Sequence, residues 1–178
     1  MEERFKKEIE LWNKIAFLNL GNLTTEEINK LPLMYGTRTV VLTSDNEVIL
    51  IKIKTGNFHT LVGGNIEDTE NIEQGTIREC KEESGYNISI IDNLGYIVLC
   101  KKKYKKYIFG NLVKTIGEPT PLKLTQEEIE LGHEILKYPI DKALDILEND
   151  YKNTSILASL RSFMFLKEAK KYLDNVLK

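Results

Sequence analysis

Several things are scarce in this chain, and each scarcity excludes a class. Cys80 and Cys100 are its two cysteines in 178 residues, too few for a disulfide framework. They fit a reducing cytosol. The two histidines are not paired, so neither thiolate nor imidazole supplies a zinc-type ligand set. Four prolines and the absence of a Pro/Gly-rich linker leave no point at which to split the chain. There is no internal repeat. No apolar run approaches the roughly 18 residues of a membrane-spanning helix. The N-terminal MEERFKKEIELW lacks the apolar centre of a signal peptide, and the expectation is a cytoplasmic protein. A net charge of −2 gives no global pull toward nucleic acid or an anionic membrane.

What is present is the material of a globular domain. With 42% hydrophobic and 29% charged residues, disorder is excluded. The length suits one domain over 1–178 with its own core. Residues 3–18 read as a helix, with Phe5, Ile9, Leu11, Trp12, Ile15 and Ala16 at helical spacing. Thr24 opens a short helical turn that ends near Pro32. Strands are expected at Thr39–Thr43, Val48–Ile53, Phe58–Val62, Ile88–Ile91, Leu94–Lys101, Tyr107–Thr115 and Glu134–Tyr138. Helices follow at Ile140–Leu147 and from about Thr154 to Leu177. Strands and helices do not alternate regularly, which argues against a doubly wound parallel sheet.

One stretch, Gly64 to Tyr86, carries the chemistry. Asn71 and Gln74 form a capping-box pattern, and Gly85 marks a left-handed C-terminus, predicting a helix over about Ile72–Ser84. At roughly 100° per residue, Glu79, Glu82 and Glu83 share one face. Ile77 and Cys80 are expected to turn toward the core. Gly75 inside the helix implies close backbone packing, against the sheet. Solvated acids at these spacings would repel by only about 0.2–0.5 kcal/mol per pair. In a cleft of effective dielectric near 20, carboxylates about 4 Å apart repel by roughly 4 kcal/mol. A divalent cation removes that penalty. Oxygen donors favour Mg²⁺, with Mn²⁺ as a substitute. Taken alone, such acids are usually a solvated helix face; their spacing back to Glu70 and Gly64 argues otherwise.

Gly64, Glu70, Arg78, Glu79, Glu82, Glu83 and Gly85 reproduce G-x5-E-x7-R-E-U-x-E-E-x-G-U, with U a bulky apolar residue. In this the chain resembles the Nudix (MutT-like) hydrolase family. Cys80 and Tyr86 fill apolar positions of the box. Upstream, Val62-Gly63-Gly64-Asn65 resembles the family's glycine-rich lead-in, Asn65 standing for a glycine by tolerating positive φ. The resemblance implies an α/β fold, a Nudix-type α/β/α sandwich with a mixed sheet and a loop-helix-loop motif. It implies Glu79, Glu82, Glu83 and the Gly64 carbonyl as metal ligands, with Arg78 orienting the acids. It implies hydrolysis of a diphosphate in a nucleoside diphosphate-linked compound.

Outside the box, the family's further acid is expected at Glu134, which opens a strand. Glu128 is the alternative, although capping and solvation account for Glu127, Glu128 and Glu130. Arg38 could meet a distal phosphate or be a solvated strand end. His59 could contact substrate or be an exposed strand residue, and Phe58 or Tyr35 could stack on a base or simply pack. Lys101–Tyr107, rich in lysine with interleaved tyrosine, reads as a hairpin with blunted edges before it reads as a nucleic-acid patch. A non-catalytic nucleotide-sensing module is the alternative function, although such modules lose box acids and this chain keeps them. A homodimer is one expectation for the long last helix.

Overall fold

The computed structural model describes residues 4–176. Helix α1 (Lys6–Leu11) is followed by strand β1 (Lys14–Asn19) and helix α2 (Thr25–Asn29). Strands β2 (Leu33–Leu42), β3 (Val48–Ile53) and β4 (Phe58–Thr60) come next. Helix α3 (Ile72–Ser84) then leads to β5 (Asn87–Lys101) and β6 (Tyr104–Ile116). The chain ends with α4 (Gln126–Leu131), β7 (His133–Tyr138), α5 (Ile140–Thr154) and α6 (Leu157–Val176).

The seven strands form one mixed sheet in the order β1-β5-β6-β2-β3-β4, with β7 on the other edge of β3. The sheet is split. β2 and β3 share the single register pair Leu42↔Val48 and then diverge. Two blades result, β1-β5-β6-β2 and β4-β3-β7. Bridges Thr39↔Val62 and Gly36↔Asn65 stitch the segment after β4 along β2. Thr39 donates its N–H to the Val62 carbonyl at 2.8 Å, and Thr37 to the Gly64 carbonyl at 3.0 Å. The split therefore ends at Gly63-Gly64.

Alternation along β2 and β6 sends side chains to two layers. Val40, Leu42, Ile108 and Leu112 pack with Leu147, Phe165, Leu166 and Ala169, which puts α5 and α6 on one face. On the other face Val41 and Val113 pack with Cys80, which puts α3 there. A buried polar knot ties α3 to the sheet. Thr76 Oγ1 lies 3.1 Å from Thr37 Oγ1 and accepts from Asn111 Nδ2 at 3.0 Å.

The helix expected over residues 3–18 is corrected. Its first residue, Glu3, lies outside the described residues. Helical pattern survives only at Lys6–Leu11, and Lys14–Asn19 is a strand parallel to β5. The open edge of β5 offers backbone partners that a helix there could not use. The two strands expected at residues 88–91 and 94–101 are one, β5, with irregularities at Ile90/Asp92 and Asn93/Gly95. The end expected for the last helix, Leu177, lies outside the described residues; α6 closes at Val176.

Candidate active site

Helix α3 starts on a full capping box between Asn71 and Gln74 and ends on Gly85 at φ 76°. Its buried residues include Ile72, Thr76, Glu79, Cys80 and Glu83. Two of the three acids thus lie on the buried face beside Cys80. Ile77 is 41% exposed, correcting its expected place in the core. Gly75 packs on Ile66 and Glu70 rather than on the sheet; a Cβ there would stand 3.1 Å from Ile66 Cγ1.

The Gly63-Gly64 turn makes room for the acids. Gly63 has φ +134°, and a Cβ on it would come within 2.3 Å of the Thr37 carbonyl oxygen. A Cβ on Gly64 would stand 2.5 Å from Glu79 Oε1, so side-chain-free backbone faces that carboxylate. The Gly63 N–H donates to Glu83 Oε2 at 2.6 Å. Asn65 does not adopt positive φ; among non-glycine residues Asn22, Asn46, Asn57 and Ser155 do. Asn65 serves through its oxygens instead. Its carbonyl accepts from Arg78 Nη2 at 2.8 Å and its Oδ1 from Lys106 Nζ at 2.6 Å.

Arg78 spends five N–H bonds on this framework. Nε donates to Glu70 Oε1 at 2.6 Å and Nη2 to Glu70 Oε2 at 2.9 Å, a two-point grip on one carboxylate. Nη1 bridges Glu79 Oε1 at 2.9 Å and Glu82 Oε2 at 3.1 Å. A lysine could not reproduce that planar fork. Glu70 is held below its ordinary pKa mainly by its bond to Arg78, and Arg78 is raised above its own.

Glu79 and Glu83 are each 7% exposed. Burial pushes both pKa values up, Glu83 to about 8, against the opposing pull of Arg38 and the Gly63 N–H. Burial likewise raises the Cys80 thiol, which stays an inert core group. Two desolvated carboxylates, a half-buried Glu82 and a glycine carbonyl could supply a set of hard oxygen donors. That set fits Mg²⁺ or Mn²⁺ and would suit a soft metal poorly.

Of these acids, Glu83 reaches a cleft of about 520 Å³ lined also by Arg38, Ile53, Phe58, Gly63, Gly64, Lys106, Glu128 and His133, among others. Backbone bonds carry the far wall to it. Thr120 donates its N–H to the Gly85 carbonyl and Lys123 to that of Glu82, each at 2.9 Å, setting α4 beside the end of α3. Glu83, Glu128 and His133 each offer a ligand atom, all within 4.8 Å of one another.

Register decides which outer residues reach the cleft. Ile53 pairs with Phe58 on one side and His133 on the other, and all three line it. Lys52 pairs with His59 and Glu134, one residue out of phase and on the opposite face. Glu134 is ion-paired with Lys54 at 3.3 Å and 44% exposed at its side chain, so the structure does not bring this expected catalytic acid to the site. Glu128 stands there instead. His59 is likewise corrected: its Nδ1 lies 2.8 Å from Asp150 Oδ2, tethering β4 to α5. Arg38 and Phe58 do line the cleft. Tyr35 packs edge-on against Phe5, ring centroids 4.8 Å apart. His133 and Arg161 were not singled out in the sequence, and Lys106 was read only as one lysine of the hairpin. Strand alternation puts Lys106 inward from the lysine-rich hairpin, the one signal that could have found it.

The family model described as NUDIX domain matches residues 33–154. The chain belongs to the Nudix family. A Bacillus subtilis (strain 168) protein that carries the name of an 8-oxo-dGTP diphosphatase is 28% identical over 74 residues. That match covers 42% of this chain and half, 50%, of the relative. A NUDIX hydrolase from Nitrosomonas europaea superposes with TM-score 0.57 at 17% identity, covering 81% of this chain and 90% of that one. The C. elegans Ap4A hydrolase gives TM-score 0.55 at 16% identity, covering 79% and 98%. These two structures share the Nudix fold. No described helix is long and apolar enough to cross a membrane.

Proposed function

We propose that this Nudix chain is a Mg²⁺-dependent hydrolase that cleaves the diphosphate linkage of a nucleoside diphosphate-linked or similar small organic diphosphate. The observation that carries the reading is the placing of buried Glu79 and Glu83 at Gly64 and Gly63, with Glu82 joined to Glu79 through Arg78. Glu79, Glu82, Glu83 and the Gly64 carbonyl would hold Mg²⁺, with Mn²⁺ as a substitute. When bound, the ion neutralises charge on the diphosphate and on the leaving phosphate.

The side chains divide the remaining work. Arg78 is a positioning residue, its Nη1 holding Glu79 and Glu82 side by side. Glu128 takes the role of the acid outside the box. Its Oε2 is committed to the Thr125 N–H at 2.7 Å, leaving Oε1 to accept a proton from attacking water. Arg38 neutralises a phosphate oxygen, and Phe58 and Ile53 supply an apolar wall for the attached moiety. The buried free thiols Cys80 and Cys100 support a cytoplasmic setting. We read residues 1–178 as one such unit acting on small molecules.

The test is a panel of nucleotide sugars, dinucleoside polyphosphates and nucleoside triphosphates, followed by release of phosphate or mononucleotide. Turnover should require Mg²⁺ and fall by about 10²-fold or more in Glu82→Gln and Glu83→Gln. Unchanged turnover in both variants would remove the catalytic assignment. Tight ligand binding without turnover would turn the reading toward a sensor.

A further inference from the structure

Two cations, Arg38 and Lys106, line the cleft, and a third, Arg161, stands one helical turn from the lining residue Ala158. Across the parallel β2–β6 pair, Met34 is in register with Lys106, Gly36 with Ile108 and Arg38 with Gly110. Arg38 and Lys106 therefore share the sheet face that α6 covers. The Lys106 side chain lies across Gly36, where a Cβ would come within 2.6 Å of its Cε and 2.9 Å of its Nζ. Arg161 follows Ala158, a cleft residue, by one turn of α6 and precedes Phe165, which fills the space over Gly110. Its Nε is buried and has no hydrogen-bond partner.

The three charges act on one another. Lys106 is brought down to about 8, first by burial and then by Arg38 and Arg161. Arg161 falls to about 10, by burial and then by Arg38. Among the described residues none of the three is ion-paired with a carboxylate; Lys106 has the neutral Asn65 oxygen. Glu83 and Glu79 offset part of the Arg38 charge and Glu79 part of that of Lys106, but Arg161 has no such carboxylate, and a fold that needed only packing at its position would favour Leu or Met. Such clustering is explained by an anion that arrives from outside.

We propose that Arg38, Lys106 and Arg161 form a receptor for a phosphate beyond the scissile diphosphate, so that the preferred substrate is a tri- or polyphosphate compound and not a two-phosphate nucleotide sugar. The inference rests on the diphosphate-hydrolase reading. The box acids and their cation already account for one diphosphate. A substrate with two phosphates and a neutral sugar would leave this cationic wall unmatched, whereas a third phosphate meets it. Arg161 is a new member of the site, contributed by a helix outside residues 33–154 of the family match.

Two measurements test it on the full chain. Calorimetric titration with inorganic tripolyphosphate, without Mg²⁺, should show binding that weakens about tenfold or more in both Lys106→Met and Arg161→Met. With Mg²⁺, the kcat/KM preference for a nucleoside triphosphate over a nucleotide sugar should fall by about tenfold or more in each variant. Unchanged tripolyphosphate binding, or equal losses on both substrates, overturns the receptor even if hydrolysis stands. Binding lost in both variants, in a protein that hydrolyses nothing on the panel, keeps the receptor and removes the hydrolase reading.

Discussion

Glu83 faces two opposed demands. It accepts the Gly63 N–H and stands beside Glu128 and His133, yet burial holds its pKa at about 8. A carboxyl raised from 4.5 to about 8 keeps a proton in the folded chain that the unfolded chain releases. Across that window the folded state binds more protons, so stability falls as pH rises. Glu79 is raised too and adds to the same slope. Metal-free protein should therefore melt at lower temperature at pH 8 than at pH 5, with a shallower slope in Glu83→Gln, read by scanning fluorimetry across pH. A slope identical in the variant would show that Glu83 is not its source. Single residues were legible in the sequence where chemistry and spacing coincide, as in Arg78, which bonds Glu70, Glu79 and Glu82. Glu134 and His59 were misplaced because they sit one residue out of phase. A period of two turns such a slip into the opposite face, and local sequence does not say which face is covered.

Elements were legible where their ends carry their own signals. Both boundaries of α3 follow from Asn71, Gln74 and Gly85, all local devices. β1 was not legible, because its reason for being a strand is the edge of β5, some eighty residues away. Ile77 was misplaced for a related reason: the loop carrying Ile66 and Glu70 covers α3 at Gly75, so small residues and acids take the buried side. Gly85 joins the two kinds of information. It caps α3 in the left-handed region, and a Cβ on it would stand 2.2 Å from the Thr120 carbonyl oxygen. Gly85→Ala would meet a conformational cost of about 1–2 kcal/mol and displace the segment that sets α4 beside Glu83. The expected result is a lower urea midpoint at unchanged m-value, together with reduced turnover. Wild-type stability in this variant would mean that the Thr120 contact is soft.

At the scale of the whole molecule, the two blades share one strand register pair and the two bridges after β4, and a further element fixes the width of the cleft. That is the work of α6. Ser162 Oγ accepts the Leu61 N–H at 2.9 Å, and Ser159 Oγ donates to the His59 carbonyl at 2.8 Å, fastening the β4 blade. Phe165, fully buried, packs on Gly110 of the other blade. The helix spans the split that forms the site and contributes Ala158 to its lining. The family match nonetheless stops at residue 154, before α6 begins. A chain ended at Thr154 would expose the apolar face made by Val40, Leu42 and Leu112 and leave the Leu61 N–H without its partner. It should therefore lose cooperative unfolding altogether. The milder Phe165→Ala should cost about 3–5 kcal/mol, a large share of the roughly 5–15 kcal/mol that holds a domain together. Thermal and urea unfolding of both forms decide the matter. A truncated chain that melts as sharply as the full one would show that the blades hold each other without α6.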